Sequence, residues 1–298
     1  MKEFPDVILW SIPAFILLIV LERVSYVLHR DEDEIGYGGR DTVTSLAMGL
    51  GSVGFDILWK VPIVAAYAFL YELTPLRVTD LWYTWPLLLL GQDFFYYWSH
   101  RSHHTIRLLW ASHVVHHSSQ RFNLSTALRQ PWTGVTSWLF YIPLILLGVH
   151  PAVLAFCQSV NLLYQFWIHT ERIDKLPRWY EAVFNTPSHH RVHHAAQGNY
   201  LDRNYGGILI VWDRLFGSFE PEVERPVYGL TKNIETYNPF RVAFHEYAAI
   251  WRDLRAATSW RARVGHLVNG PGWQVPVLPA GPADRDGRLV GAGHQDPA

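Results

Sequence analysis

Apolar residues in the first 170 positions come in long runs, not in the short stripes of a soluble helix. Residues 7–28 (VILWSIPAFILLIVLERVSYVL) are interrupted only by Pro13, Glu22, Arg23 and a few small polar residues. About 20 apolar residues suffice to cross a bilayer, so this run predicts a membrane span. The only early positive charge is Lys2, and no small-residue cleavage site follows, so an anchor is expected rather than a cleaved signal. Residues 43–71 predict a second span, weakened by Asp56 and Lys60, and residues 81–99 a third. Residues 134–168 are apolar except around Gly148-Val-His-Pro151, whose glycine and proline read as a turn between two helices. They give a fourth and fifth crossing, both short, or a re-entrant hairpin.

After residue 169 the pattern changes. Prolines and glycines punctuate short segments. Residues 208–216 predict a short helix under the preceding elements. Residues 239–257 predict an amphipathic helix with Phe240, Val242, Phe244, Tyr247, Ala248 and Trp251 largely to one side, fit to cover a site or lie on a membrane surface. The Pro/Gly/Asp-rich stretch 271–298 has little to pack and predicts disorder. The expected fold is therefore all-α and integral to a membrane. One domain over 1–270 has spans near 7–28, 43–71, 81–99 and 134–168, and a helical cap over 169–270.

Charge sets the expected sidedness. Arg23, Arg30 and Arg40 flank the first connection, and Arg101, Arg107, Arg121 and Arg129 fall in the third. The second carries only Arg77, and the turn at 148–151 has no Lys or Arg. The positive-inside rule then puts the odd connections and the C-terminal half in the cytoplasm, with the N-terminus outside. A multi-pass protein of a bacterial inner membrane or endoplasmic reticulum is expected. The 14 Trp and 15 Tyr suit membrane interfaces. A net charge of -1 offers no bulk attraction to nucleic acid. The single Cys157 can form no intrachain disulfide.

The chemistry lies in His100-Arg-Ser-His-His104, His113-Val-Val-His-His117 and His190-Arg-Val-His-His194, with His169 between the second and third. Residues three and four apart share a helix face, so each box can aim two or three nitrogens at one point. So many imidazoles exceed the needs of one ion, and two ions are the natural count. The candidate ligands are His100, His104, His113, His116, His117, His169, His190, His193 and His194. His103, His189 and His245 are weaker candidates. His29, His150, His266 and His294 read as ordinary histidines, and His150 lies in the turn on the opposite side. All three boxes fall on the cytoplasmic side. Imidazole suits iron, copper, zinc or nickel, and ligand type alone does not choose. Placement beneath an apolar cavity would suit oxygen attack on a lipid C–H bond, which iron can support and redox-inert zinc cannot.

Ligating histidines usually give their other N–H to a carboxylate or carbonyl. Asp93, two helical turns before His100 inside an apolar segment, is the expected orienting group. Glu171, Asp202 and Asp213 are alternatives. Arg129 and Arg191 could bind a lipid phosphate or brace the site. Phe94, Phe95, Tyr96, Tyr97 and Trp98 could line a lipid cavity or simply pack.

Asp93-Phe-Phe-Tyr-Tyr-Trp-Ser-His-Arg-Ser-His-His104 and the two later boxes resemble the fatty acid hydroxylase / sterol desaturase superfamily of membrane non-haem di-iron enzymes. The resemblance covers roughly residues 40–250. Within it, the stretches 117–130 and 199–219 look like the alkylglycerol monooxygenase branch, which cleaves ether lipids. The resemblance implies two iron ions held by the box histidines and His169, dioxygen as co-substrate, a lipid substrate and a separate electron donor. Thr105 departs from the branch, which carries Glu directly after the first box; that Glu is linked there to a pterin reductant, so pterin use does not carry over.

The expected activity is an oxygen-dependent monooxygenase that hydroxylates, or desaturates, a C–H bond of a sterol, fatty acyl chain or ether lipid. A zinc-dependent membrane lipid hydrolase is the alternative. A metal transport or storage protein is a weaker one, since Asp56 and Lys60 are the only hints of an ion path.

Overall fold

The computed structural model describes residues 7–29, 34–79 and 81–275. Most of the 271–298 stretch expected to be disordered lies outside the described residues. Within 271–275, Trp273 packs its ring edge-on to His266 at 5.1 Å.

Among the described residues the secondary structure is helical, with only two isolated β-bridges. The first long apolar run is helix α1 (Val7–Leu28) and the second is α2 (Gly39–Leu73). Both are long and apolar enough to cross a membrane. At 1.5 Å per residue they measure about 33 and 52 Å. The additional length of α2 is polar: Asp41, Thr44, Ser45 and Ser52 are buried near its start, whereas Val53, Ile57, Leu58, Val61, Val64 and Phe69 are exposed further on. Glu22, which interrupts the apolar run of α1, is buried and accepts from Leu124 N (2.9 Å), Thr170 Oγ1 (2.5 Å) and the Tyr37 hydroxyl. That carboxylate ties α1 to the loops beside the histidine boxes.

The third apolar run begins later than expected. Residues 81–84 form a turn, and α3 (Trp85–Thr105) starts with Pro86 in its first turn, where the missing N–H costs nothing. Its last turns carry the first histidine box. Ile106 is extended, and α4 (Arg107–His117) leaves at once, so the first and second boxes lie on adjoining helix ends. The 134–168 stretch is a 3-10 segment (Gly134–Tyr141), α5 (Ile142–Leu146) and α6 (Pro151–Trp167). Gly148 makes the expected turn with φ +90, and a Cβ there would lie 2.5 Å from the Leu76 backbone. His150 caps α6, accepting from Ala152 N at 3.2 Å.

Beyond α6 lie α7 (Arg178–Glu181), α8 (Pro187–His193), α9 (Val211–Phe216), α10 (Pro239–Ala256) and α11 (Trp260–Val268). The apolar face expected for 239–257 is split. Val242, Ala243 and Ile250 are buried, while Phe240 and Trp251 are 66% and 62% exposed. Successive helical residues turn by about 100°, so Val242 cannot share a side with Phe240 and Phe244. The α11 helix has no strong periodicity in its sequence; Ser259 starts it by accepting from Ala262 N at 3.1 Å.

Two apolar clusters hold the site in place. One joins Tyr67, Leu88, Ile145, Leu154 and Cys157 across α2, α3, α5 and α6. The other joins Met48, Val115, Trp132, Val242 and Ala243 across α2, α4 and α10.

Candidate metal centre

The nine histidines converge as two groups. His100, His104, His113, His117 and His193 form one, and His116, His169, His190 and His194 the other; the nitrogens within each lie within 4.8 Å of one another. The partition follows helical spacing. Each i, i+4 pair (His100 and His104, His113 and His117, His190 and His194) stays in one group, while His116 and His193, at i+3, go to the other. Adjacent helical residues point about 100° apart, so His116 and His117 diverge to different points. His103 is the i+3 member of the first box, and it joins neither group. Its Nδ1 donates to Ser99 O (2.7 Å), and its Nε2 meets Thr136 Oγ1 (2.8 Å). His169, at the end of α6, supplies the fourth nitrogen of the smaller group. His189 and His245 also lie outside both groups.

Orientation comes mostly from main-chain carbonyls. His100 Nδ1 donates to Tyr205 O (2.8 Å), His193 Nδ1 to Arg203 O (2.9 Å), His169 Nδ1 to Gln165 O (2.7 Å) and His116 Nδ1 to Arg129 O (3.3 Å). A proton on Nδ1 leaves the Nε2 lone pair for the centre of the group. His104 Nδ1 lies 3.3 Å from Asp202 Oδ1, so Asp202 is the carboxylate in direct reach of a box histidine. Asp202 adopts φ 57, a left-handed conformation that asparagine and aspartate tolerate best after glycine.

Asp93, expected to orient a histidine, bonds none. It accepts from Ile208 N (2.8 Å), Leu209 N (3.1 Å), Trp212 Nε1 (2.9 Å) and Asn161 Nδ2 (2.8 Å). It anchors to α3 and α6 the loop whose Tyr205 carbonyl receives His100. Asp213 completes that loop, accepting from Tyr205 N and Gly206 N, both at 2.7 Å, and from Ser218 Oγ (2.7 Å). Gly207 sits where a Cβ would meet Asn161 at 2.7 Å and Tyr96 at 2.8 Å, so only glycine lets the loop lie this close. Glu171 accepts instead from Ile35 N.

Both arginines are braces. Arg129 bonds Asp41 Oδ1 (2.5 Å), Ser45 Oγ and Ser118 Oγ (both 3.1 Å). Arg191 clamps Glu222 through Nε (2.8 Å) and Nη2 (2.7 Å) and donates to Ile173 O (2.6 Å). Neither points a free guanidinium at a ligand. Among the aromatics, Phe94 packs on Trp212, Tyr97 and Trp98 on Phe216, and the Tyr96 hydroxyl donates to Gln165 Oε1 (2.7 Å).

The donor set fits metal ions. His113 Nε2 lies 2.9 Å from His100 Nε2 and 3.1 Å from His117 Nε2. One ring nitrogen has a single proton or lone pair and cannot satisfy both. In the smaller group, His169 Nε2 is 3.1 Å from His116 Nε2 and 2.9 Å from His190 Nε2. Ligands bonded to a metal at about 2.1 Å and at right angles stand about 3 Å apart. The Nε2 atoms of His104, His193 and His194 are buried with no partner among the described residues. Burial, then the neighbouring rings, holds His100, His104, His113, His117, His190 and His194 well below the usual 6.5. His169 falls to about 4 and His193 to about 3, in both cases mainly through burial. All are neutral at pH 7, as ligation requires.

The fatty acid hydroxylase family model matches residues 85–218, the interval holding all nine of these histidines. The chain is 42% identical to alkylglycerol monooxygenase of Homo sapiens over 280 residues, covering 92% of this chain and 61% of that protein. It is 42% identical to the Danio rerio alkylglycerol monooxygenase over 91% of this chain and 61% of that protein. It is 33% identical to ornithine lipid hydroxylase OlsE of Rhizobium tropici over 45% of this chain and 43% of that protein. Over residues 85–218, just under half of its length, the chain is therefore similar to the fatty acid hydroxylase family. Over most of its length it is similar to alkylglycerol monooxygenases, of whose length it spans about three fifths. No solved structure matches it.

The backbone acceptors at Arg129, Gln165, Arg203 and Tyr205 have no signal in the sequence, because any residue can offer a carbonyl. Asp213 has one, an acid that with Arg214 interrupts the apolar 208–216 run. Thr105, where the branch carries Glu, ends α3 with its hydroxyl donating to Arg101 O at 3.1 Å.

Proposed function

We propose that the two histidine groups each hold one iron ion and that the protein is an oxygen-dependent lipid hydroxylase. The observation carrying this reading is the pair of buried, all-imidazole groups with nitrogens at ligand spacing. Bound iron would reduce dioxygen with two electrons from a separate donor, placing one oxygen atom in a lipid C–H bond and releasing the other as water. The relatives' names support the lipid: alkylglycerol, ornithine lipid and, for a more distant rat relative, methylsterol. An ether lipid is the substrate class most consistent with the similarity to alkylglycerol monooxygenases.

In this reading the chain supplies position and dryness. Carbonyls at Tyr205, Arg203, Gln165 and Arg129 hold the Nδ1 protons, so each ring presents Nε2 in a fixed tautomer. Phe122 stacks on Tyr228 at 5.0 Å and on His169 at 5.6 Å, closing one side against water. Trp110 and Tyr205 close the other, with ring centroids 5.1 and 5.2 Å from His104.

The membrane seat is part of the same proposal. A single domain over 1–270 crosses or dips into the bilayer at 7–28, 43–71, 81–99 and 134–168. The 169–270 cap and both irons lie on the cytoplasmic side, with a bacterial inner membrane or endoplasmic reticulum as host. A reporter fused after residue 275 that reads the far side would overturn that sidedness.

The activity is tested by purifying the protein in detergent and measuring metal content beside oxygen-dependent turnover of an ether lipid, an ornithine lipid and a sterol. Two irons per chain and a product formed only with oxygen are expected. Zinc-only protein whose activity ignores oxygen would show a hydrolase instead.

A further inference from the structure

On the other side of α8 from the smaller histidine group lies a cleft of about 450 Å³, lined by Lys175, Arg178, Glu181, His189, Arg214 and Phe219 among others. His189 faces this cleft, while its neighbour His190 faces His169. The carboxylates at the cleft are engaged. Glu181 accepts from Leu176 N (3.0 Å), Thr186 Oγ1 (3.1 Å) and Ser188 Oγ (2.8 Å), and Glu222 is clamped by Arg191. Among the described residues no cation pairs with Glu181, and the three lining cations outnumber its single charge. Among the described residues Lys175 Nζ donates only to the main-chain Glu222 O (2.7 Å). Arg214 donates to Glu181 O (3.1 Å) and lays its guanidinium over Phe219, 3.6 Å from the ring centroid. Arg178 pairs with no described residue. His189 is 2% exposed and lines the cleft. Three positive charges and one carboxylate thus meet at one opening, beside the His189 ring, leaving the lining net positive.

The rim is apolar. Trp179 beside Arg178 is 72% exposed, Leu215 beside Arg214 is 69% exposed, and Val183 is 40% exposed. The α9 helix carrying Arg214 and Leu215 packs through Trp212 and Phe216 on Phe94 and Trp98 of α3, inside the stretch read as the third span. A soluble anion would gain nothing from exposed Trp179 and Leu215, whereas a lipid brings its acyl chains to them. Arginine and lysine cations recognise phosphate oxygens through charge-assisted hydrogen bonds. A zwitterionic headgroup would bring an ammonium against these same cations.

We propose that this cleft binds the phosphate headgroup of an anionic membrane phospholipid, with its chains lying against Trp179, Val183 and Leu215. Held there, the lipid would join α7, α8 and α9. The site rests on the membrane seat proposed above and does not depend on which metal the histidines bind.

The test is native mass spectrometry of the full-length, metal-loaded protein in detergent. It is titrated with dioleoyl phosphatidylglycerol, dioleoyl phosphatidylcholine and, separately, glycerol 3-phosphate. Phosphatidylglycerol should bind about tenfold more tightly than phosphatidylcholine, the contribution expected of one to two interfacial cations. Arg178→Ala should remove much of that preference; Arg178 has no partner among the described residues, so its loss should leave metal content unchanged. Arg178→Lys should restore part of it, and Arg178→Ala with Arg214→Ala should abolish it. Arg252→Ala, on exposed α10, should leave it intact. Equal binding of the two lipids, or a preference that survives the double variant, would overturn the proposal. Displacement of phosphatidylglycerol by glycerol 3-phosphate at similar concentration would also overturn it, by showing a site for soluble phosphate.

Discussion

The two histidine groups share the second and third boxes, with the first box in the larger and His169 in the smaller, and they lean on different parts of the chain. The larger group has five nitrogens and takes its orientation from the 202–205 loop, through Asp202, Arg203 O and Tyr205 O. That loop is about a hundred residues from the first box and is held by Asp213 and, through residues 208–212, by Asp93. The smaller group has four nitrogens and leans on Gln165 O, within its own helix end, and on Arg129 O. Spacing of the boxes is therefore not enough. One group depends on a distant loop closing over it, the other on a helix terminus already beside it.

The largest effect should come from the ligands. His116→Ala removes one of four nitrogens and His193→Ala one of five. Both should abolish oxygen-dependent product while the protein still inserts. Iron analysis should show a deeper loss of one ion in His116→Ala, because three imidazoles remain there against four. Equal iron in both variants would break the comparison.

Acidification comes next. Burial lowers the folded-state pKa of these imidazoles below the 6.5 of an unfolded chain, so the unfolded state binds more protons. For metal-free protein, their contribution is intact above pH 6.5 and is lost as pH falls towards about 4 for His169 and about 3 for His193. A tenfold difference in proton affinity between the folded and unfolded states is worth about 1.4 kcal/mol per group. Thermal melts should be flat from pH 7 to 8 and fall steadily below 6.5. A melting temperature that rises between pH 6.5 and 5 would contradict this.

Asp213→Asn should act on one side only. It disturbs the acceptor for Tyr205 N and Gly206 N and so loosens the carbonyl behind His100. Chelator competition should show about 10- to 100-fold weaker metal retention in the larger group. Equal weakening of both groups would mean the loop is not specific to one. Asp93→Asn should cost about 1.5 kcal/mol of stability, as charged acceptors do, with a smaller effect on metal because no histidine touches it. Thr105→Ala should change little, within about 0.5 kcal/mol and without altering iron content, since its hydroxyl bonds only its own helix.

Much of the helical order was legible, because long apolar runs and Pro/Gly punctuation are local signals: α1 matches 7–28, the turn stands at Gly148, and α10 fills Pro239–Ala256. The orientation of α10 was not, because exposed Phe240 and Trp251 look as apolar as buried Val242. Arg129 and Arg191 could be read as phosphate ligands or braces, and only their partners Asp41 and Glu222 decide for braces. Arg178 and Arg214 carry nothing that distinguishes them among many arginines, because a cleft between short helices has no sequence signature.

The sequence by itself determined that three boxes would gather imidazoles, and that i, i+4 pairs would act together, because helical geometry is fixed over one turn. It did not decide which pairs meet, that His103 turns to Ser99 and Thr136, or that His169 takes a place in the smaller group. Those follow from how α3, α4, α6 and α8 pack. A carbonyl such as that of Tyr205 becomes a partner for His100 only when distant segments are folded together.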